Sequence, residues 1–162
     1  MICGALSPQY VAGLFDGEGS FRISKGGGLP SRMCKTVESS MTLYAQVVNT
    51  HRPVLEALCR QYGGGIYQNT KHANKRWKSA WAWTISGKPA AAFIQDIVEH
   101  LTIKKEQAEA CLLFAETYHR PWREYRYNGL TAEAVKLRNI SFKAFRAATE
   151  KRTGRGLSWR LL

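Results

Sequence analysis

Two periodicities alternate along this chain. Between Ser7 and Gly19 the apolar residues Tyr10, Val11, Leu14 and Phe15 recur at helical spacing. Ser7 suits an N-cap and Pro8 the first helical position, where a missing N–H costs nothing. Gly17 and Gly19 are expected to end the helix through left-handed backbone. The period then drops to two. Ser20–Lys25 alternates, with Phe21 and Ile23 on one side and Ser20, Arg22 and Ser24 on the other. After a Gly- and Pro-rich loop at 26–31, Thr36–Val48 alternates again. Val37, Met41, Leu43, Ala45 and Val47 share one parity; Glu38, Ser40, Thr42, Tyr44 and Gln46 share the other. This pair of strands therefore has one apolar and one polar face.

The pattern then repeats in outline. Pro53–Tyr62 is a short helix through Val54, Leu55 and Leu58, ended by Gly63, Gly64 and Gly65. Ile66–Lys71 and Arg76–Ser86 form a hairpin over His72–Lys75, with Trp77, Trp81, Trp83 and Ile85 along one side of the second strand. That stripe reads as core, since alternate large aromatics cover helices well; the alternative is a base-stacking platform. Helices follow over Pro89–Leu101 and Lys104–Tyr118, with a break at Thr102 and Ile103. A loop at 119–130 rich in Arg and aromatics precedes a last helical region from Thr131 to about Thr153, with Ser141 as its candidate break. The tail from Gly154 to Leu162 is basic. This order predicts an α+β fold: a four-stranded antiparallel sheet with helices on one face and extra C-terminal helices.

Composition narrows the class. A chain of 162 residues with 44% hydrophobic content supports one domain with its own core. We expect a core at 7–118 and a basic helical region at 119–162. No stretch is long and apolar enough for a membrane span, and the first residues lack a secretory pattern. Cys3, Cys34, Cys59 and Cys111 form no Cys-x-x-Cys pair and read as reduced thiols of an intracellular protein. The net charge of +12 favours an acidic polymer as partner. By itself that charge equally fits RNA, a ribosomal site or anionic lipid.

The candidate chemistry sits at the end of the first helix. Ala12, Gly13 and Gly17 leave a groove of small residues that another backbone could approach closely. Asp16 and Glu18 lie at the C-terminal end, where the helix dipole disfavours carboxylates and the last carbonyls lack partners. Carboxylates and free carbonyls together make an oxygen cluster suited to a divalent cation.

The nine residues Val11-Ala12-Gly13-Leu14-Phe15-Asp16-Gly17-Glu18-Gly19 resemble the signature of the LAGLIDADG homing endonucleases. Val11 stands for the first Leu, Phe15 for Ile, Gly17 for Ala and Glu18 for the second Asp. The resemblance implies an αββαββα-type fold. It also implies a site-specific endonuclease cutting both strands of a long, pseudo-palindromic duplex and leaving 3′ overhangs. One copy of the motif implies a homodimer, with Ala12, Gly13, Asp16 and Gly17 at the interface. It implies Mg²⁺ held by Glu18 and the Gly17 carbonyl, with Mn²⁺ or Ca²⁺ able to substitute and Ca²⁺ not supporting cleavage. Asp16 is expected to hydrogen-bond near the helix end.

Further site residues come from the same resemblance. Leu-Thr-Ile-Lys-Lys-Glu-Gln-Ala places Lys104 near the reacting water, with Lys105 an ordinary helix lysine. Asn49, closing the second strand, would order solvent, and His51 and Arg52 compete for a neighbouring role. The polar sheet face would enter the major groove of double-stranded DNA. Arg22, Gln46, Gln68, Arg76 and Lys78 are the candidates for base edges. Ser20, Ser24, Ser40, Thr42, Tyr44 and Thr70 add hydrogen bonds, and Lys136 and Lys143 lie along the backbone. No membrane or small-molecule substrate is expected; an organelle or a prokaryotic cytoplasm would suit. Two other readings share these residues: an RNA maturase assisting intron splicing, and a non-catalytic DNA-binding regulator.

Overall fold

The computed structural model describes residues 5–25, 41–69, 79–119 and 130–154. The elements follow the expected order. Helix α1 (Pro8–Gly17) leads into strands β1 (Gly19–Ser24) and β2 (Thr42–Asn49). Helix α2 (Arg52–Tyr62) leads into β3 (Gly65–Asn69) and β4 (Ala80–Ser86). Helices α3 (Gly87–Ile97), α4 (Lys105–Ala115) and α5 (Ala132–Thr153) follow, with 3₁₀ turns at Val98–His100 and Glu116–His119.

The sheet is antiparallel throughout, in the order β1-β2-β4-β3. Its odd-numbered face is the core. Phe21, Ile23, Leu43, Ala45, Val47, Trp83 and Ile85 are all buried there. Phe15 of α1 lies against them, 4.8 Å from Phe93, 5.4 Å from Phe21 and 6.1 Å from Trp83 between ring centroids. Burial of each Phe, Ile, Leu or Val side chain here contributes roughly 1.5–3 kcal/mol. Trp83 is therefore core, as its parity predicts, and its indole N–H donates to the Gly63 carbonyl at 2.8 Å. Trp81 is only half-buried, and Trp77 lies outside the described residues.

Two local expectations are corrected. Gly17 and Gly19 are not left-handed; positive φ occurs at Gly63, Gly64, Gly87 and Gly154 among the described glycines. The α1 cap is Glu18, at φ −110° and ψ −17°, whose N–H still reaches the Leu14 carbonyl at 2.8 Å. Gly19 is needed for a different reason. A Cβ there would stand 2.4 Å from the Phe15 ring, so only glycine lets β1 start directly beneath α1.

The last helix is unbroken at Ser141, whose hydroxyl donates to the Leu137 carbonyl at 2.8 Å and so satisfies itself within the helix. Arg138, Ser141 and Phe145 form a buried stripe, and Phe145 joins the main core. Gln107 of α4 donates to Thr149 of α5 at 2.8 Å, which ties the two helices. The helix expected over Lys104–Tyr118 changes to 3₁₀ geometry at Glu116.

Candidate active site

Helix α1 presents two different faces. Val11, Ala12 and Phe15 are fully buried, whereas Tyr10, Gly13 and Gly17 are exposed. A Cβ built at Gly13 or Gly17 meets nothing within 4 Å. Ala12 is thus a core residue and not part of an interface groove, which corrects that expectation. Exposed Ile103 stands beside this end of α1, because its backbone N–H donates to Asp16 at 3.2 Å. Sequence reasoning passed over Ile103; an isolated apolar residue in a two-residue break carries no periodic signal.

Asp16 is fully occupied by backbone. Its carboxylate accepts from Thr102 at 2.8 Å, Ile103 at 3.2 Å and Lys104 at 3.0 Å, clamping the approach to α4 onto the end of α1. This matches the hydrogen-bonding role expected of it and leaves it turned inward, not toward a partner. Lys104 is buried at 4% exposure. Its ammonium donates to the carbonyls of Phe15 at 2.6 Å, Asp16 at 3.0 Å and Gly19 at 2.6 Å. Burial pushes its pKa below the ordinary lysine range, Arg152 adds to this, and Asp16 and Glu18 oppose it. The three hydrogen bonds that the ammonium donates also favour its charged form.

What remains open is specific. Glu18 is exposed, and its carboxylate has no hydrogen-bond or ion-pair partner among the described residues. The Gly17 carbonyl, skipped by Lys104, likewise accepts nothing among them. No group of three or more His, Cys, Asp or Glu lies together among the described residues. One chain therefore offers a carboxylate and a carbonyl, and any ion there must take its other ligands from elsewhere.

The end of β2 lies at the same end of the sheet as Glu18, because Gly19 pairs with Val47. Asn49 stands opposite Trp81, and its Oδ1 accepts from the His51 N–H at 2.8 Å, turning the chain into α2. Arg52 is engaged: its Nε lies 2.8 Å from Glu56, and its guanidinium stacks 4.4 Å from the Trp81 ring centroid. The exposed His51 ring has no hydrogen bond among the described residues.

The other sheet face is a ruled surface of paired residues. Moving away from Glu18, the rows are Val48–Ala82–Tyr67, then Ser20–Gln46–Thr84, then Arg22–Tyr44–Ser86, then Ser24–Thr42. The Arg22 guanidinium sits 4.8 Å from the Tyr44 ring centroid, and Ser20 donates to the Gln46 carbonyl at 3.4 Å. Gln68 does not belong to this face. It pairs with Trp81, on the helix side of the edge strand. The residue of β3 that does face outward is Tyr67, 64% exposed. Alternation from Ile66 sets Tyr67 outward and Gln68 on the helix side, against what residue type suggests. Ser40, Thr70, Arg76 and Lys78 lie outside the described residues. Lys136 and Lys143 are exposed on α5, in the layer built on α4.

Of the cysteines, Cys59 and Cys111 are free, and Cys3 and Cys34 lie outside the described residues. No helix among the described residues is long and apolar enough to cross a membrane.

No protein-family model and no curated protein matches the chain. Solved structures do match over most of it. It is similar to an archaeal intron-encoded homing endonuclease, I-Vdi141I, complexed with DNA: TM-score 0.59, 19% identity, covering 96% of this chain and 87% of that one. It is also similar to the homing endonuclease I-CvuI in complex with its target in the presence of Ca, with TM-score 0.59 and 12% identity over 93% of this chain and 96% of that one. The match to the LAGLIDADG homing endonuclease I-GzeII, in complex with its DNA target, has TM-score 0.55 and 15% identity. It takes in 93% of this chain but only 50% of that one. The chain has the LAGLIDADG homing endonuclease fold: an α+β domain whose four-stranded antiparallel sheet carries its helices on one face.

Proposed function

We propose that this protein is a LAGLIDADG homing endonuclease, cutting both strands of a long, pseudo-palindromic DNA site as a homodimer with a divalent metal. The observation that carries the reading is the open oxygen pair at the end of α1. Lys104 closes the neighbouring carbonyls, yet Glu18 and the Gly17 carbonyl have no partner among the described residues, at the edge of a polar sheet face. A plain DNA-binding regulator has no use for an unpaired carboxylate where phosphate would lie.

The donor set fits Mg²⁺, which takes one or two carboxylates and completes its shell with phosphate and water. Glu18 and the Gly17 carbonyl would hold it, with Mn²⁺ or Ca²⁺ as substitutes. A bound ion supplies an acidified water and neutralises charge on the leaving oxygen. The chain's own residues do the rest. His51 is free to hydrogen-bond solvent near the scissile phosphate, whereas Arg52 is held by Glu56 and Trp81, so His51 is favoured for the solvent-ordering role. Asn49 fixes His51 from behind through its backbone N–H.

The sheet supplies recognition. Arg22, Tyr44, Gln46, Ser20, Ser24 and Thr42 are arranged to reach base edges, and Tyr67 joins them in place of Gln68. Lys136 and Lys143 contribute charge toward phosphate. The dimer is supported by the open Gly13–Gly17 face of α1 and by the half-length match to I-GzeII. An isologous contact there would set two Glu18 residues near one axis, as two-strand cutting requires.

The test is a cleavage selection on a randomised duplex library with Mg²⁺, followed by sequencing of the cut ends. We expect one pseudo-palindromic site with 3′ overhangs. Glu18→Gln should abolish cutting of that site and leave binding intact; a fully active Glu18→Gln enzyme would remove the metal assignment.

A further inference from the structure

Lys104 was expected beside the reacting water. The geometry gives it another task. A lysine ammonium has three N–H donors and no acceptor, and here all three are spent on the carbonyls of Phe15, Asp16 and Gly19. None is left to hydrogen-bond a water. The side chain is 4% exposed, so it approaches Glu18 from inside the protein and not from the DNA side. Its backbone is fixed as well, since Asp16 accepts the N–H groups of residues 102, 103 and 104. Lys104 and Asp16 thus form a double clamp: each grips the other's backbone across the junction of α1 and α4.

The clamp sorts the oxygens at the end of α1. The last carbonyls of a helix attract any cation. With the Phe15, Asp16 and Gly19 carbonyls each accepting from inside, the Gly17 carbonyl and the Glu18 carboxylate are left without a partner among the described residues. Building on the endonuclease reading, we propose that Lys104 is a positioning residue. Its ammonium is the resident cation of the helix end, and it fixes the Gly17–Gly19 turn so that one carbonyl and one carboxylate converge on an incoming divalent ion. Lys104 touches neither the water nor the phosphate.

The test compares wild type with Lys104→Met, which keeps the chain length and removes the charge, and with Asp16→Asn, which keeps Lys104 and weakens the grip on its backbone. Mn²⁺ binding to each protein on the duplex recovered from the cleavage selection is followed by electron paramagnetic resonance. Mg²⁺-dependent cleavage is measured in parallel across pH. Loss of a group that orients metal ligands lowers metal affinity about 10–100-fold, so Lys104→Met should bind Mn²⁺ at least about tenfold more weakly. Its half-maximal Mg²⁺ should rise in step, the pH profile should keep its shape, and excess Mg²⁺ should restore most of the rate. Asp16→Asn should show the same pattern more mildly. DNA affinity without metal should not change.

The contrary outcome is Lys104→Met with wild-type Mn²⁺ affinity, a collapsed rate at saturating Mg²⁺ and an altered pH profile; that would return Lys104 to the reacting water. If Lys104→Met fails to fold, Asp16→Asn decides: wild-type metal affinity and rate in that variant overturn the clamp. A wild type that neither cuts DNA nor binds Mn²⁺ on it would instead defeat the endonuclease reading itself.

Discussion

Gly19 shows how one missing side chain places a site. The motif's last glycine has no positive φ, and its role is clearance. Phe15 fills the space where its Cβ would be, and Phe15 is also the residue that ties α1 to Phe21, Phe93 and Trp83. Gly19→Ala should therefore cost stability by overpacking, about 1–3 kcal/mol, and shift Glu18 with the start of β1. Chemical denaturation checks the first effect; a wild-type midpoint would show that Phe15 gives way freely. At this scale the sequence was legible for burial and opaque for partners. Alternation identified Phe21, Ile23, Leu43, Ala45, Val47 and Trp83 as core. Nothing in the residue string revealed that Lys104 would spend its protons on three carbonyls. Those contacts join positions more than eighty residues apart.

At the scale of elements, α1 is the one that serves two masters. Its buried face belongs to the core, and its other face, Tyr10, Gly13 and Gly17, is exposed and is the proposed dimer contact. A side chain at Gly13 would meet nothing in its own chain within 4 Å. Gly13→Leu should consequently leave the monomer folded and block self-association. Sedimentation should report a monomer with a wild-type circular dichroism spectrum, and an unchanged dimer would move the interface elsewhere. The order of elements was readable because the hydrophobic period switches cleanly between 3.6 and 2. Structure departs from the local rules at two places: Ser141 does not break α5 but bonds back to Leu137 within it, and strand register sets Tyr67, not Gln68, on the open face.

For the whole molecule, one face of the sheet buries the core and the other stays open, while the end of α1 delivers Glu18 to the edge between them. The strongly basic chain would hold duplex DNA against that open face. In the proposed endonuclease, Glu18 and the Gly17 carbonyl form the metal-binding edge. Anomalous scattering from Mn²⁺ in crystals of the protein with its cleaved duplex tests it most directly. We expect an ion in contact with the Glu18 carboxylate and the Gly17 carbonyl of each of two copies, beside a phosphate of the cut strand. Ions bound elsewhere, with Glu18 facing solvent away from the DNA, would contradict it.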